Sequence, residues 1–218
     1  MTVPTPFETV SLPVREKARA ADVLARAFSD DALYVDLFPD AARRLDVLRA
    51  MFGAVVGHAL TFGEVTTTPG VEGAACWLAP GKTDLTLWRV MRTGFGLMGT
   101  GFGLMRAMVT LRRDARRRFL KGESHVGRMH KRLIRSPHWY LLALGVMPEA
   151  QGRGIGGGLL RPVLARADAE RLPCYLETQT EDNVRFYERR GFDVVEAGEL
   201  PGQRVSVPMW YMIRVPRT

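Results

Sequence analysis

Gln151, Gly152, Gly154 and Gly156 carry the first chemistry legible in the chain. They sit in the run Val146-Met147-Pro148-Glu149-Ala150-Gln151-Gly152-Arg153-Gly154-Ile155-Gly156, between an apolar strand-like segment and a helix-like one. That order places bare backbone N–H groups at the positive end of a helix, an arrangement that binds pyrophosphate. The spacing excludes two commoner phosphate loops. No Gly-Lys-Ser/Thr ends the run as in a P-loop, and the glycine spacing is not that of the dinucleotide fingerprint. Gly157 and Gly158 need no ligand role and suit close helix packing.

The elements that position this loop follow from periodicity and punctuation. A first strand is expected over Phe7–Leu12 and a helix over Val14–Phe28, with a loop bearing Tyr34 and Phe38 after it. Asp40 caps a second helix to about Leu60; strands over Gly63–Thr67 and Gly73–Leu78 join through a Pro69-Gly70 turn. Two or three helices fill 84–135. His138–Val146 is a strand, Gly154–Arg171 a helix, Cys174–Thr178 a strand, and Asp182–Arg190 a helix stopped by Gly191. Phe192–Val195 and Val205–Val215 close the sheet. This alternation implies an α/β (α+β) single-sheet domain spanning 1–218, with 84–135 as a helical insertion.

A second block stands downstream. Leu176-Glu177-Thr178 precedes Asn183-Val184-Arg185-Phe186-Tyr187-Glu188-Arg189-Arg190-Gly191-Phe192. Together with Gln151–Gly156, which fits Gln/Arg-x-x-Gly-x-Gly/Ala, it resembles the GCN5-related N-acetyltransferases, whose last motif reads Asn-x-x-x-Tyr-x-x-x-Gly-Phe. Within them, His138-Trp139-Tyr140-Leu141 and the two downstream segments resemble the puromycin N-acetyltransferase-like bacterial members. The resemblance covers about Gly73–Val215.

It implies a mixed, mostly antiparallel sheet splayed between the strand ending at Val146 and the strand Cys174–Thr178. It implies acetyl-CoA as co-substrate, with the backbone of Gln151, Gly152, Arg153, Gly154, Ile155 and Gly156 around its pyrophosphate. Leu144, Gly145 and Val146 would bond the pantetheine arm as an added strand, Gly145 fitting a bulge and the Val146 N–H polarising the thioester carbonyl. Direct transfer to an amine in a ternary complex needs a base and an acid. Tyr187 is the acid candidate, sharing a helix face with Asn183 four residues earlier. Glu177, a carboxylate in an otherwise apolar strand, is the base candidate, directly or through water. Glu181 and Asp182 read as helix-start residues, and His58 and His138 as lone structural histidines.

The acceptor is expected to be a small amine. Thr93–Met98 repeats at Thr100–Met105, and the period of seven aligns Phe95, Met98, Phe102, Met105 and Val109 on one helix face. That stripe could line the acceptor pocket, form a lid or homodimer contact, or touch a membrane. Tyr34, Phe38, Trp139, Phe95 and Phe102 are the acceptor-side candidates, and Asp30, Asp31 and Asp36 suit a cationic amine.

Bulk numbers set the outer bounds. The chain has 218 residues, 46% hydrophobic and 25% charged, as in an ordinary globular protein. Net charge is +8, concentrated between Arg106 and Arg135, but without the interleaved aromatics that stack bases; no nucleic-acid partner is expected. No secretory leader is read at Met1–Ser11, no metal spacing is present, and Cys76 and Cys174 read as buried free thiols of a cytoplasmic protein.

Overall fold

A computed structural model describes residues 8–83 and 113–217. The repeat at 93–105, with Phe95 and Phe102, lies outside the described residues. Among those described, one mixed sheet of seven strands runs in the order β1-β2-β3-β4-β5-β7-β6. The strands are β1 Val10–Ser11, β2 Gly63–Thr67, β3 Gly73–Leu78, β4 Trp139–Val146, β5 Cys174–Thr178, β6 Asp193–Glu199 and β7 Pro208–Arg214. The helices are α1 Lys17–Ala27, α2 Ala32–Leu37, α3 Ala41–Phe62, α4 Arg113–Leu133, α5 Ile155–Ala169 and α6 Glu181–Glu188. Every neighbouring pair is antiparallel except β4–β5.

Strand alternation sorts the core into two faces. Ala74, Cys76 and Leu78 of β3 turn toward α1, α2 and α3, packing with Leu24, Leu48, Val56 and, further along, Tyr140 and Tyr211. Ala75 and Trp77 turn the other way, to Ile155, Leu159 and Val163 of α5 and Tyr187 of α6. α3 is long and apolar enough to cross a membrane by composition, but more than half of that stretch is buried in the fold. Its start is fixed by Asp40, whose carboxylate accepts from the Arg43 N–H at 2.8 Å. Pro162 removes one N–H from the α5 ladder. The Thr66 hydroxyl donates to the Leu159 carbonyl (2.7 Å), tying that stretch of α5 to β2.

Two local expectations are corrected. The segment with Tyr34 and Phe38 is not all loop: α2 forms there because Asp31 accepts from the Leu33 N–H (3.0 Å) and Leu33 and Leu37, one turn apart, are both buried. The bulge in β4 is not at Gly145. The register with β3 shifts between Cys76↔Ala143 and Trp77↔Leu141, so Leu142 is the extra residue. Gly145 is bare for another reason. A Cβ there would come within 2.9 Å of both Ala27 and Leu24 side chains, so glycine lets α1 sit directly on β4.

Candidate functional site

The split in the sheet creates the site. β4 and β5 are in register only at Trp139↔Cys174 and Tyr140↔Tyr175. Beyond Tyr140 the strands part. The Met147 N–H donates to the Glu72 carbonyl at 2.8 Å, toward the β3 side. Backbone direction alternates along a strand, so the polar groups of Leu144 and Val146 face the split. One of them has a local partner: the Gln151 side-chain amide donates to the Val146 carbonyl (3.1 Å).

The glycine loop closes one end of this split. Gly152 and Gly154 have φ of +74° and +84°, backbone geometry that any side chain would strain, with open space where a Cβ would stand. Gly154 is the N-cap of α5 and offers no side-chain cap, so the first N–H groups of the helix, at Ile155, Gly156 and Gly157, stand without one. The Gln151 N–H is already engaged with the Pro148 carbonyl (3.3 Å). Arg153 turns to Glu72 (3.1 Å) in a half-exposed ion pair. Gly157 makes room for Arg190, which lies over the Phe186 ring at 3.5 Å.

A cleft of about 1320 Å³ runs from this loop through the split to the face of α4. Leu144, Gly145, Val146, Gln151, Gly152, Gly154, Ile155 and Gly156 line it, as do Asn183, Tyr187, Glu177 and Tyr34. Phe38 and Trp139 are not brought to it. Phe38 is buried in the core with Leu33 and Val47. Trp139 faces α5, where its indole donates to Glu170 (2.9 Å) beneath Arg166. The Thr180 hydroxyl caps α6 by accepting from the Asn183 N–H (3.2 Å), which sets Asn183 and Tyr187 on the cleft wall. Asp36 pairs with Arg118 of α4, and Asp31 is taken up as the α2 cap.

Glu177 and Tyr187 reach the cleft from opposite faces of the sheet. Glu177 shares the α4 face of β5 with Tyr175, and its two carboxylate oxygens accept from the Tyr140 hydroxyl at 2.9 and 3.1 Å. Burial raises the Glu177 carboxyl to about 8, against the opposing pull of the tyrosine hydroxyls, Tyr140 first. Glu123 of α4 lines the same cleft. Its side chain meets water there, yet the surrounding protein pushes its carboxyl up and it adds to the rise at Glu177. Tyr187 is buried against Phe186 and Phe192, and burial holds its phenol above the ordinary range, so it keeps its proton.

Sequence reading missed a pair of histidines. His138 is not alone: its Nε2 lies 2.7 Å from Nε2 of His130, and its Nδ1 is 2.7 Å from the Ser136 carbonyl. His130 stacks on Tyr175 and leans on Tyr140, both at 4.6 Å between ring centres. His58 is buried and packs on Phe62. Cys76 and Cys174 are buried free thiols, both raised to about 12 by burial. Among the described residues, no three His, Cys, Asp or Glu side chains converge as a metal site.

Comparison with known proteins points the same way as the geometry. The family model for the acetyltransferase (GNAT) family matches residues 103–192. Over 210 residues, 94% of this chain and 81% of the relative, the chain is 28% identical to an uncharacterised N-acetyltransferase of Schizosaccharomyces pombe. Among solved structures, a histone acetyltransferase HPA2-related protein of Corynebacterium glutamicum shares the fold with TM-score 0.64 at 21% identity, over 98% of each chain. A putative arylalkylamine N-acetyltransferase 7 of the mosquito Aedes aegypti does so with TM-score 0.61 at 16% identity, over 96% of this chain and 87% of that one. A sheet split after Tyr140, an uncapped glycine-led helix against the split, and the family match over residues 103–192 together make the chain similar to the GCN5-related N-acetyltransferases, a family of acyltransferases.

Proposed function

We propose that the chain transfers the acetyl group of acetyl-CoA directly to the amine of a small molecule, in a ternary complex inside the split of the sheet. The carrying observation is that Glu177 and Tyr187 line one cleft, reaching it from opposite faces of the sheet. The coenzyme end fits its group on structural grounds. Uncapped N–H groups of α5 and two left-handed glycines with open space suit a pyrophosphate. The backbone of Leu144 and Val146, turned into the split, suits an extended amide-bearing arm. Acetyl-CoA supplies an activated acyl group as a thioester.

The residues of the chain divide the remaining work. Glu177, directly or through a water, takes the proton of the attacking amine, whose nitrogen forms the new C–N bond. The Val146 N–H faces the carbonyl oxygen where charge develops. As the C–S bond breaks, the Tyr187 hydroxyl gives its proton to the sulfur, a role for which its raised affinity for that proton keeps it charged with one at neutral pH. Asn183 orients the arm beside it, and Tyr34 lines the acceptor end.

The aromatic and aliphatic lining at that end, with Tyr34, Phe28 and Phe52 in contact, supports a compact acceptor over a protein tail. On the same reading the protein is one domain, cytoplasmic, of the puromycin N-acetyltransferase-like type. The insertion 84–135 shapes the acceptor pocket, and α4 is its described part.

A panel of primary amines, including puromycin-like and aminoacyl compounds, assayed by coenzyme A release tests this. Turnover of at least one compact amine, with none of peptide amines, is the expected result. Acetyl-CoA binding with no turnover of any amine would overturn it in favour of a binding protein. Tyr187→Phe is expected to lower kcat about 10²-fold or more while acetyl-CoA affinity stays within about threefold. An unchanged kcat in a pre-steady-state burst assay would remove Tyr187 from the chemistry.

A further inference from the structure

The Glu177 carboxylate is not held by its own strand. Facing it are Tyr140 of β4, Tyr175 beside it on β5, Tyr211 opposite it on β7, and Glu123 of α4. Beyond Tyr211, Arg132 of α4 and Glu196 of β6 pair with each other at 2.9 Å. The Tyr211 hydroxyl is buried with no hydrogen-bond partner, and the Tyr175 hydroxyl, near enough to favour the charged form of Glu177, makes no hydrogen bond of good geometry. The Tyr140 hydroxyl is different. It reaches both carboxylate oxygens across the last registered rung before the strands part.

Tyr140 is itself fixed from behind. Its ring is buried, and His130 of α4 packs against it and against Tyr175. His130 is tethered to His138, and His138 to the Ser136 carbonyl. If His138 donates from Nδ1 to that carbonyl, its Nε2 is the acceptor and His130 donates from Nε2. The two Nε2 atoms then share one proton, and protonating His138 at Nε2 as well would set two N–H groups against each other at 2.7 Å. The pair thus links α4 to the residues just before β4, directly behind the Tyr140 ring.

We propose that Tyr140 is the positioning residue of the reaction: its hydroxyl aims the Glu177 carboxylate into the cleft and sets the pH at which that carboxylate becomes a base, with the His130–His138 pair as its brace. The inference rests on the reading of Glu177 as base. Its physical content is a competition. The buried setting favours the protonated carboxyl, and Glu123 adds to that. A hydrogen bond donated to the carboxylate favours the charged form. Tyr140 moves Glu177 back toward neutrality, where a base is most effective. It touches neither substrate in this assignment and acts only through Glu177.

The test is the pH profile of kcat/KM on an accepted amine. Wild type is expected to rise through about pH 8 as Glu177 loses its proton. Tyr140→Phe is expected to move that rise up by about one to two pH units, the loss of one hydrogen bond to a charged group. Activity at pH 7 falls about 10–100-fold and recovers toward the wild-type plateau at high pH. Replacement of Tyr140 by 3-fluorotyrosine keeps the ring and makes the hydroxyl a stronger donor, so the rise moves down.

A uniform loss with no movement of the rise in either variant would overturn the proposal and leave Tyr140 a packing residue. If Tyr140→Phe does not fold, the fluorinated form decides alone: a downward shift supports the proposal and an unmoved rise refutes it. Failure of the underlying reading looks different, since Glu177→Gln would then retain the wild-type rise.

Discussion

Glu177→Gln is expected to lower kcat/KM by about 10²–10⁴-fold and to erase the rise through pH 8. Glutamine keeps the shape and the contact with Tyr140 but cannot take a proton. Steady-state rates from pH 6 to 9.5 check it, and a variant that keeps the rise would move the base function elsewhere. The same substitution is expected to stabilise the fold in alkali. The carboxyl titrates near 8 in the folded chain against a usual value of 4.5. Its contribution to stability is therefore complete below about pH 4.5 and is lost as pH rises through 8. A neutral glutamine does not undergo that loss. With some screening allowed for a side chain that meets the cleft, Glu177→Gln should gain about 1–2 kcal/mol over wild type at pH 9 and little at pH 4, by urea unfolding. Loss of activity together with gain of stability would identify a group kept for chemistry at the expense of the fold.

Arg214→Ala carries the largest expected loss of stability. The guanidinium is 4% exposed and binds Asp168 of α5 with two bonds of 2.7 Å, while its Nε donates to the Arg190 carbonyl at 3.1 Å. One side chain thus ties β7 to the end of α5 and the end of α6, the two helices that carry the glycine loop and Tyr187. Removing it leaves Asp168 and the part-buried Arg190 carbonyl without their main partner, at a cost of about 3 kcal/mol, the low end for a buried pair because Asp168 is 27% exposed. Thermal melting should fall by about 6–12 °C for a chain of this size. The pH dependence has the opposite sign to that of Glu177. The Arg214 hydrogen bonds hold the Asp168 carboxyl below its usual 3.8, so the pair contributes fully above that value and its contribution fades as pH falls through the lowered one. As pH falls below 3.8 and through the lowered value the melting curves of Arg214→Ala and wild type should draw together, and a constant gap would place the effect in packing alone.

What was legible in the sequence was whatever a single element or a turn specifies by itself. Cys174–Thr178 was read with the bounds the strand has, Asp40 as the cap it is, and Pro69-Gly70 as the turn between β2 and β3. The family resemblance on Gln151–Gly156 and Asn183–Phe192 carried the split sheet, which no periodicity could have supplied. Six residues of α2 are too few for a helical period to stand out, and the cap at Asp31 was the only local sign. Contacts between elements were out of reach. His130 ends a helix and His138 precedes a strand, and only the turn through Ser136 and Pro137 brings their rings together. Tyr140 and Glu177 are 37 positions apart and meet because β4 and β5 run parallel at their first rungs. Trp139 and Phe38 show the converse: an aromatic near a motif can serve the core alone.

The parting of β4 from β5 also bears on what counts as the folded state. In the free chain, water must satisfy the strand groups that face the gap, and the two halves of the sheet are joined by two rungs. A coenzyme whose extended arm takes the place of the missing rungs adds binding energy to the native state and none to the unfolded one. Each tenfold excess of coenzyme over its dissociation constant then adds about 1.4 kcal/mol to the free energy of unfolding. On the proposed function the co-substrate acts in that sense as a further, exchangeable strand beside the seven described, and the stability of the chain would follow the concentration of its own reactant.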